Sequence, residues 1–584
     1  MEKLNGKKLI GYPSIDRPWL KYYPKKPIRK FVLEQKMCNL IETANIDNLD
    51  NIAINFMGID GNDWTYREIF HMVDRLADAY LQYGLKEKEV VLVSTVSGLD
   101  EALNLLALNK IGAISKWIDI TASAMDLETA IVEDNCRIVV AFAAVVPELQ
   151  KCIDDTTVER VLYSSPEQYI RTNKMPPEQR YFLQKGILKQ SLVMPQDERF
   201  IRLIDFLETG SETATFCSAV YEKDSPVLKI QSSGTTGKPK SIIHTDYSVN
   251  ASINKLAYTD FPLVTGNTLL KIAPSWVGYG LINTLAAGLA HGMTVLMTPM
   301  INERMCLDYN GKYDVAFGVP LHYRYLASKI DDVTDMSRVR VLVSGGDKIS
   351  EKEIHELQEI FATKGCSAPI LNGAGNNEVL GVGSGNIIHA NKPGTVGFPY
   401  FGDTIAIFDT ETGEEKRYGE EGEICYCSES AFLEYANNVK ETKRVKQTHR
   451  DGTIWIHSKD LGTIDEDGFI TIIGRLSRVI LVSAFKISAS HIEEVVESHP
   501  AVGECVAVGV PDDIDGEVPM VFVVLKDGFC TDEDNIEREL RSLCSSHLKE
   551  KAVPKYFQFI DAIPYTSNNK QDYRKLERIG RESM

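Results

Sequence analysis

From Asn51 onward the chain alternates short apolar runs with longer stretches whose apolar residues recur at helical spacing. "AINFM" (Ala53–Met57) reads as a strand, and "TYREIFHMVDRLADAYLQYG" (Thr65–Gly84) as a helix stopped by a glycine. "EVVLVST" (Glu89–Thr95) is the next buried strand and "LDEALNLLALNKIG" (Leu99–Gly112) the next helix; "RIVVAFA" and "RVLYSS" add strands. The longest apolar run, Ile138–Val146, is about half of what a membrane span needs and reads as a buried strand. Further on come "TVLMTP" (Thr294–Pro299), "VAFGVP" (Val315–Pro320), "VRVLVSGGD" (Val339–Asp347), a helix at Glu351–Thr363 and the strand "PILNG". This alternation predicts an α/β fold with largely parallel sheets covered on both faces. From Gly394 the texture changes to short alternating strands with Gly, Asp and Pro turns, which predicts a small antiparallel β-barrel over about residues 394–475. A compact α+β tail follows to Met584.

A chain of 584 residues exceeds one hydrophobic core. The first fifty residues read as an arm on a large domain, 51–475, with a smaller C-terminal domain at 479–584. A composition of 43% hydrophobic and 25% charged residues is that of a folded protein. The net charge of −18 argues against nucleic acid or an anionic membrane as the main partner. It also means that a site for anions must supply its own donors. The eleven cysteines show no metal-ligand spacing, and the N-terminus has no apolar leader core. Both features predict a cytoplasmic protein with reduced thiols.

"QSSGTTGKPKSIIHT" (Gln231–Thr245) lies between the strand "VLKIQ" and a helix over "YSVNASINKLAY". Ser232, Ser233, Gly234, Thr235, Thr236 and Gly237 offer hydroxyl and backbone N–H donors, and Lys238 adds a cation, an inventory suited to a polyphosphate. It is not a Walker A loop, because Pro239 keeps Lys238 out of a first helical turn.

"SSGTTGKPK" resembles the phosphate loop of the adenylate-forming superfamily: acyl-CoA synthetases, firefly luciferases and peptide-synthetase adenylation domains. Other signatures follow in the family's order. "NGAGNNE" (Asn372–Glu378), "SKDLGTIDEDGFITIIGR" (Ser458–Arg475), "LSRVILVSAFKISASHIEEVV" and "IPYTSNNKQDYRKLE" (Ile563–Glu577) are similar to the family's later motifs. The resemblance implies ATP, Mg²⁺ and coenzyme A as co-reactants, with a mobile C-terminal lid domain swinging about a hinge at 476–478 that contains Ser477. It implies that Glu378 holds Mg²⁺, that Lys238 manages the β- and γ-phosphates, and that Lys570 meets the substrate carboxylate and the α-phosphate. Asp460 would accept the ribose hydroxyls, with Arg475 and Ile472 nearby. Gly345, Gly346, Asp347, Gly373, Ala374, Gly375, Asn376 and Asn377 would line the rest of the nucleotide site, and Ser483, Ala484 and Phe485 the pantetheine tunnel.

The chain departs from the family pattern at several of these positions. Ala374 stands where an aromatic stacks on adenine, Asn377 replaces Thr, Ser477 replaces a hinge Asp, and Asn569 replaces Gly. Ala484 replaces a tunnel Gly and adds a methyl there; Lys486 replaces Arg. The thiol acceptor is therefore either coenzyme A or the phosphopantetheine arm of a carrier protein. In the family an acyl pocket follows the turn matched by "PSWVGYGLINTLAAGL" (Pro274–Leu289), which gives Trp276, Val277, Tyr279 and Gly280. Amino-acid activators place an Asp at the position of Val277; without it a buried ammonium is unpaired, so an apolar fatty or aryl acid is expected. His244, His291 and His322 form no metal spacing and are expected to be structural.

Overall fold

The computed structural model describes every residue except 1–2, 5–6, 57, 59–60, 172–194, 216–217, 232–239, 298–310, 484, 513–514, 527, 529–532 and 566–570. The chain divides into two compact units. The larger holds Arg17–Thr404 and Tyr426–Ile456, and the smaller holds Met1–Asp16, Ile405–Cys425 and His457–Met584.

Two sheets build the larger unit. The eight-stranded sheet runs in the order Glu434–Tyr435, Ser241–Thr245, Pro226–Gln231, Ile114–Trp117, Val90–Ser94, Ile138–Phe142, Arg160–Ser164 and Phe200–Arg202. It is parallel from Pro226–Gln231 outward to Phe200–Arg202, while Ser241–Thr245 folds back antiparallel. The nine-stranded sheet is parallel across Ile370–Ala374, Val341–Ser344, Val315–Gly318, Thr268–Lys271, Thr294–Met297 and Ile52–Phe56. Its central strands are buried along their whole length, as helices on both faces require. The helices start where the sequence caps them. Thr65 accepts from the Glu68 N–H and Glu68 returns the bond, opening Tyr66–Gln82.

The run Ile138–Val146 does not stay extended. Its strand stops at Phe142, and Ala143–Val145 and Val146–Leu149 are helical turns. Pro147, near the start of the second turn, cannot donate to a sheet ladder but fits a first helical turn. Within the first fifty residues, the larger unit buries Trp19 and the helix Met37–Ala44. The antiparallel strands expected after Gly394 are present: Ile454–Ile464 pairs with Lys446–Thr448 and with Ile470–Arg475.

In the smaller unit Val479–Val482, Phe485–Ser488, Val502–Asp512, Gly516–Leu525 and Tyr556–Phe559 form a five-stranded sheet. One apolar cluster joins it to the helices Ala489–Glu497 and Glu533–His547, and another joins it to Tyr573–Glu582. No described helix is long and apolar enough to cross a membrane. The described cysteines are free thiols, and all but Cys427 are buried.

Buried lysines were not legible from the apolar pattern. Lys116 lies 2.6 Å from Glu133 and 2.8 Å from Asp134, and Lys255 lies 2.6 Å from Asp403. Lys271, at the end of a central strand, pairs with Glu101 at 3.1 Å, and neither side chain has solvent exposure. Burial pushes the Glu101 carboxyl up to about 7 and lowers Lys271. Removing one partner leaves a buried charge uncompensated, so Lys271→Met should lower the unfolding free energy by about 3–5 kcal/mol in denaturant titration. The Lys271→Met/Glu101→Leu double variant should recover most of that loss.

Candidate active site

Four parallel strands, Thr268–Lys271, Val315–Gly318, Val341–Ser344 and Ile370–Ala374, end side by side. Ligands of open α/β sheets bind at such carboxyl ends. The segments that leave them carry most of the site residues expected in this unit. Gly345 donates its N–H to Gly318 O at 3.1 Å, Gly346 turns with φ +81°, and the Asp347 carboxylate accepts the Lys348 N–H at 2.8 Å. Tyr279 is wedged against these ends, its hydroxyl 3.3 Å from Gly318 O and 3.2 Å from Val343 O. A Cβ on Gly280 would lie 2.0 Å from Pro274 O, so only glycine lets the turn 274–280 close. The helix that follows opens as a wide π-type segment, Tyr279–Ala286. Trp276 and Val277 are half-buried in the turn.

The backbone of 372–378 threads a narrow passage. A Cβ on Gly373 would meet Ser384 O at 2.9 Å, and one on Gly375 would meet Gly381 O at 2.5 Å. Ala374 pairs with Ser384, and the Asn376 carboxamide oxygen accepts the Val379 N–H at 3.2 Å. Asn377 then ties three segments together. Its Oδ1 accepts the Gly278 N–H at 3.2 Å, and its Nδ2 donates to Gln231 O at 3.1 Å, at the end of the strand Pro226–Gln231. Its main-chain oxygen accepts from His244 Nε2 at 2.8 Å. Burial drives His244 down to about 3, so it is neutral with its proton on Nε2. His291 is buried and His322 half-buried, and desolvation pushes both down to about 4.

Glu378 follows on a short turn, half-buried. Its main-chain oxygen accepts the Phe432 N–H at 2.7 Å, and its Oε1 accepts the Tyr435 hydroxyl at 2.6 Å. Sequence reasoning missed Tyr435 and Phe432. They lie more than fifty residues away (|i−j| = 57 for Tyr435) in a stretch without a periodic signal.

In the smaller unit Asp460 and Arg475 face each other across two antiparallel strands, with Asp460 Oδ1 2.7 Å from Arg475 Nε. Ile472 is exposed on the same strand as Arg475. The strand carrying Asp460 is fastened just before it. Lys459 turns with φ +67°, and its N–H donates to Glu423 Oε1 at 2.9 Å. The Ser458 hydroxyl donates to Ile424 O at 2.6 Å and accepts the Asp460 N–H at 2.9 Å. His457 Nδ1 lies 2.8 Å from Glu423 Oε2 and 3.4 Å from Cys425 Sγ. These three side chains form a cluster of metal-ligand types. The donors satisfy one another, and burial pushes the Cys425 thiol well up, so the cluster reads as a knot holding two strands in register. Spacing in the sequence did not reveal it because its members sit on different strands.

Ser232, Ser233, Gly234, Thr235, Thr236, Gly237, Lys238, Ala484 and Lys570 lie outside the described residues. Ser477 falls in the short turn Leu476–Arg478, Phe485 opens the strand Phe485–Ser488, and the Ser483 N–H donates to Asp515 O at 2.8 Å.

The family model described as "AMP-binding enzyme" matches residues 42–436, and "AMP-binding enzyme C-terminal domain" matches 491–570. The chain belongs to the AMP-binding enzyme family. It is 26% identical to a long-chain-fatty-acid–CoA ligase of Bacillus subtilis (strain 168) over 96% of this chain and 97% of that one. It is 24% identical to 4-coumarate–CoA ligase 1 of Petroselinum crispum over 90% and 91%. The structure of the anthranilate CoA ligase AuaEII, in complex with anthranoyl-AMP, shares the fold with a TM-score of 0.79 at 19% identity, covering 94% of this chain and 98% of that one.

Asn377→Ala would strip the Gly278 N–H and the Gln231 carbonyl of a partner together. It should cost about 1–3 kcal/mol in denaturant unfolding and speed hydrogen exchange at Gly278.

Proposed function

We propose that the chain activates a carboxylic acid with ATP and passes the acyl group to the thiol of coenzyme A. In the first step a carboxylate oxygen attacks the α-phosphorus, the bond to the β-phosphate oxygen breaks, and pyrophosphate leaves from an acyl-adenylate. In the second the thiol sulfur attacks the acyl carbon, loses its proton, and AMP departs. The reactants of the first step are both anions, so the protein's task is charge neutralisation and alignment.

Glu378 carries this reading: a half-buried carboxylate with Oε1 held by Tyr435, inside the 42–436 match to the AMP-binding family. An all-oxygen donor suits a hard cation, so the residue fits Mg²⁺. Bound there, Mg²⁺ would offset phosphate charge. Lys238 and the donors of Ser232–Gly237 would take the outer phosphates. Lys570 would bridge the substrate carboxylate and the α-phosphate. Gly345, Gly346, Asp347, Gly373, Ala374, Gly375 and Asn376 would border the base and sugar, and Asp460, oriented by Arg475, would accept the ribose hydroxyls. The turn containing Ser477 would serve as the hinge, and Ser483, Ala484 and Phe485 would edge the thiol path.

Relatives named as CoA ligases support coenzyme A as the acceptor. Trp276, Val277 and Tyr279 carry no charge, which supports an apolar acid, fatty or aryl. Free, mostly buried thiols accord with a cytoplasmic enzyme.

Pyrophosphate release from ATP, assayed with a panel of fatty and aryl acids with and without coenzyme A, tests the proposal. Release should depend on the acid, and a thioester should form only with coenzyme A; no release with any acid would overturn the reading. Lys570→Ala should slow ATP–pyrophosphate exchange roughly 10²–10³-fold.

A further inference from the structure

Glu378 is gripped twice by one distant segment. Phe432 binds its main-chain oxygen at 2.7 Å, and Tyr435 binds its Oε1 at 2.6 Å. Tyr435 is itself held firmly. It lies on the two-residue strand Glu434–Tyr435, in register with Ile242 of the strand Ser241–Thr245. Its ring packs against Phe432 with centroids 4.9 Å apart. On the other side Lys240 Nζ sits 5.3 Å from the ring centroid and is fixed there by Glu441 at 2.6 Å. The ring is buried, so the hydroxyl has one direction to point. Among the described residues, Tyr435 supplies the one side-chain hydrogen bond to this carboxylate.

A glutamate's terminal torsion is broad and nearly two-fold, so an untethered carboxylate can offer either oxygen or both to a cation. A hydroxyl donor on Oε1 removes that freedom. We propose that Tyr435 is a positioning residue: by bonding Oε1 it fixes the plane of the Glu378 carboxylate and turns Oε2 toward the divalent cation that accompanies ATP, and it ties that carboxylate to the strand Ser241–Thr245. The inference rests on the ATP-dependent reading above and adds to it a residue that acts through Glu378.

The test uses Mn²⁺ as the probe on the full chain with ATP and no acid, so that no turnover occurs. Free Mn²⁺ is read by electron paramagnetic resonance. Tyr435→Phe keeps the ring between Phe432 and Lys240 and deletes only the hydroxyl. It should weaken Mn²⁺ binding to the ATP-loaded chain by about 10–100-fold, the effect expected when a ligand's outer partner is lost. ATP affinity measured in EDTA should stay at the wild-type value and the melting temperature without nucleotide should fall by no more than a few degrees, which a general loss of structure would not allow. Glu378→Gln should abolish the same Mn²⁺ binding. If Tyr435→Phe binds Mn²⁺ as the wild type does while Glu378→Gln does not, the role of Tyr435 is overturned and the nucleotide site stands. If both variants bind as the wild type does, Glu378 is not the cation ligand, and the reading of the site falls together with the inference.

Discussion

Two distant segments, an apolar turn ending at Gly280 and the strand ending at Gln231, are anchored to one primary amide. Asn377 accepts from Gly278 and donates to Gln231, while its own backbone is held by a neutral histidine. An amide can do this because its donor and acceptor are separate atoms on a rigid plane. The family pattern has a threonine here, whose single oxygen cannot span the same gap. The consequence reaches the next residue, since Glu378 can face a fixed direction only if the turn beneath it is fixed. The glycines around it serve the same end: Gly280, Gly373 and Gly375 let backbones approach to distances that any side chain would forbid.

Much of the scaffold was readable in advance, and for a definite reason. Ile52–Phe56, Tyr66–Gln82, Val90–Ser94 and Leu99–Lys110 follow apolar periodicities that are strong over their own length. The run Ile138–Val146 misled because periodicity alone could not show where a buried strand gives way to helical turns; Pro147, just past the run, was the missing signal. The candidate residues of each unit were legible where they are local. Residues 372–378 and 458–475 form continuous motifs, and Asp460 and Arg475 are cross-strand neighbours as hairpin geometry requires. What stayed hidden depends on long-range pairing. Tyr435 on Glu378, His244 on Asn377 and His457 on Glu423 each join segments that no spacing rule links.

The electrostatics follow one logic at two scales. A chain with a net charge of −18 cannot attract a polyphosphate through its overall field. Cations must be held where they are needed, and they are held by hydrogen bonds to the protein. Lys240 is fixed by Glu441, and Arg475 by Asp460. The same device, deeper in the core, places Lys116 and Lys255 against carboxylates, each pair joining a helix to a strand.

The pair of Lys271 and Glu101 has a further consequence for anyone wishing to reshape this protein. Lys271 Nζ also reaches Ala273 O at 3.1 Å and Ser275 Oγ at 3.4 Å, directly behind the turn that carries Trp276 and Val277. Trimming side chains behind that turn would break into a buried ion pair rather than hydrocarbon. Any enlargement of the turn 274–280 must therefore leave that pair whole or replace both of its members together.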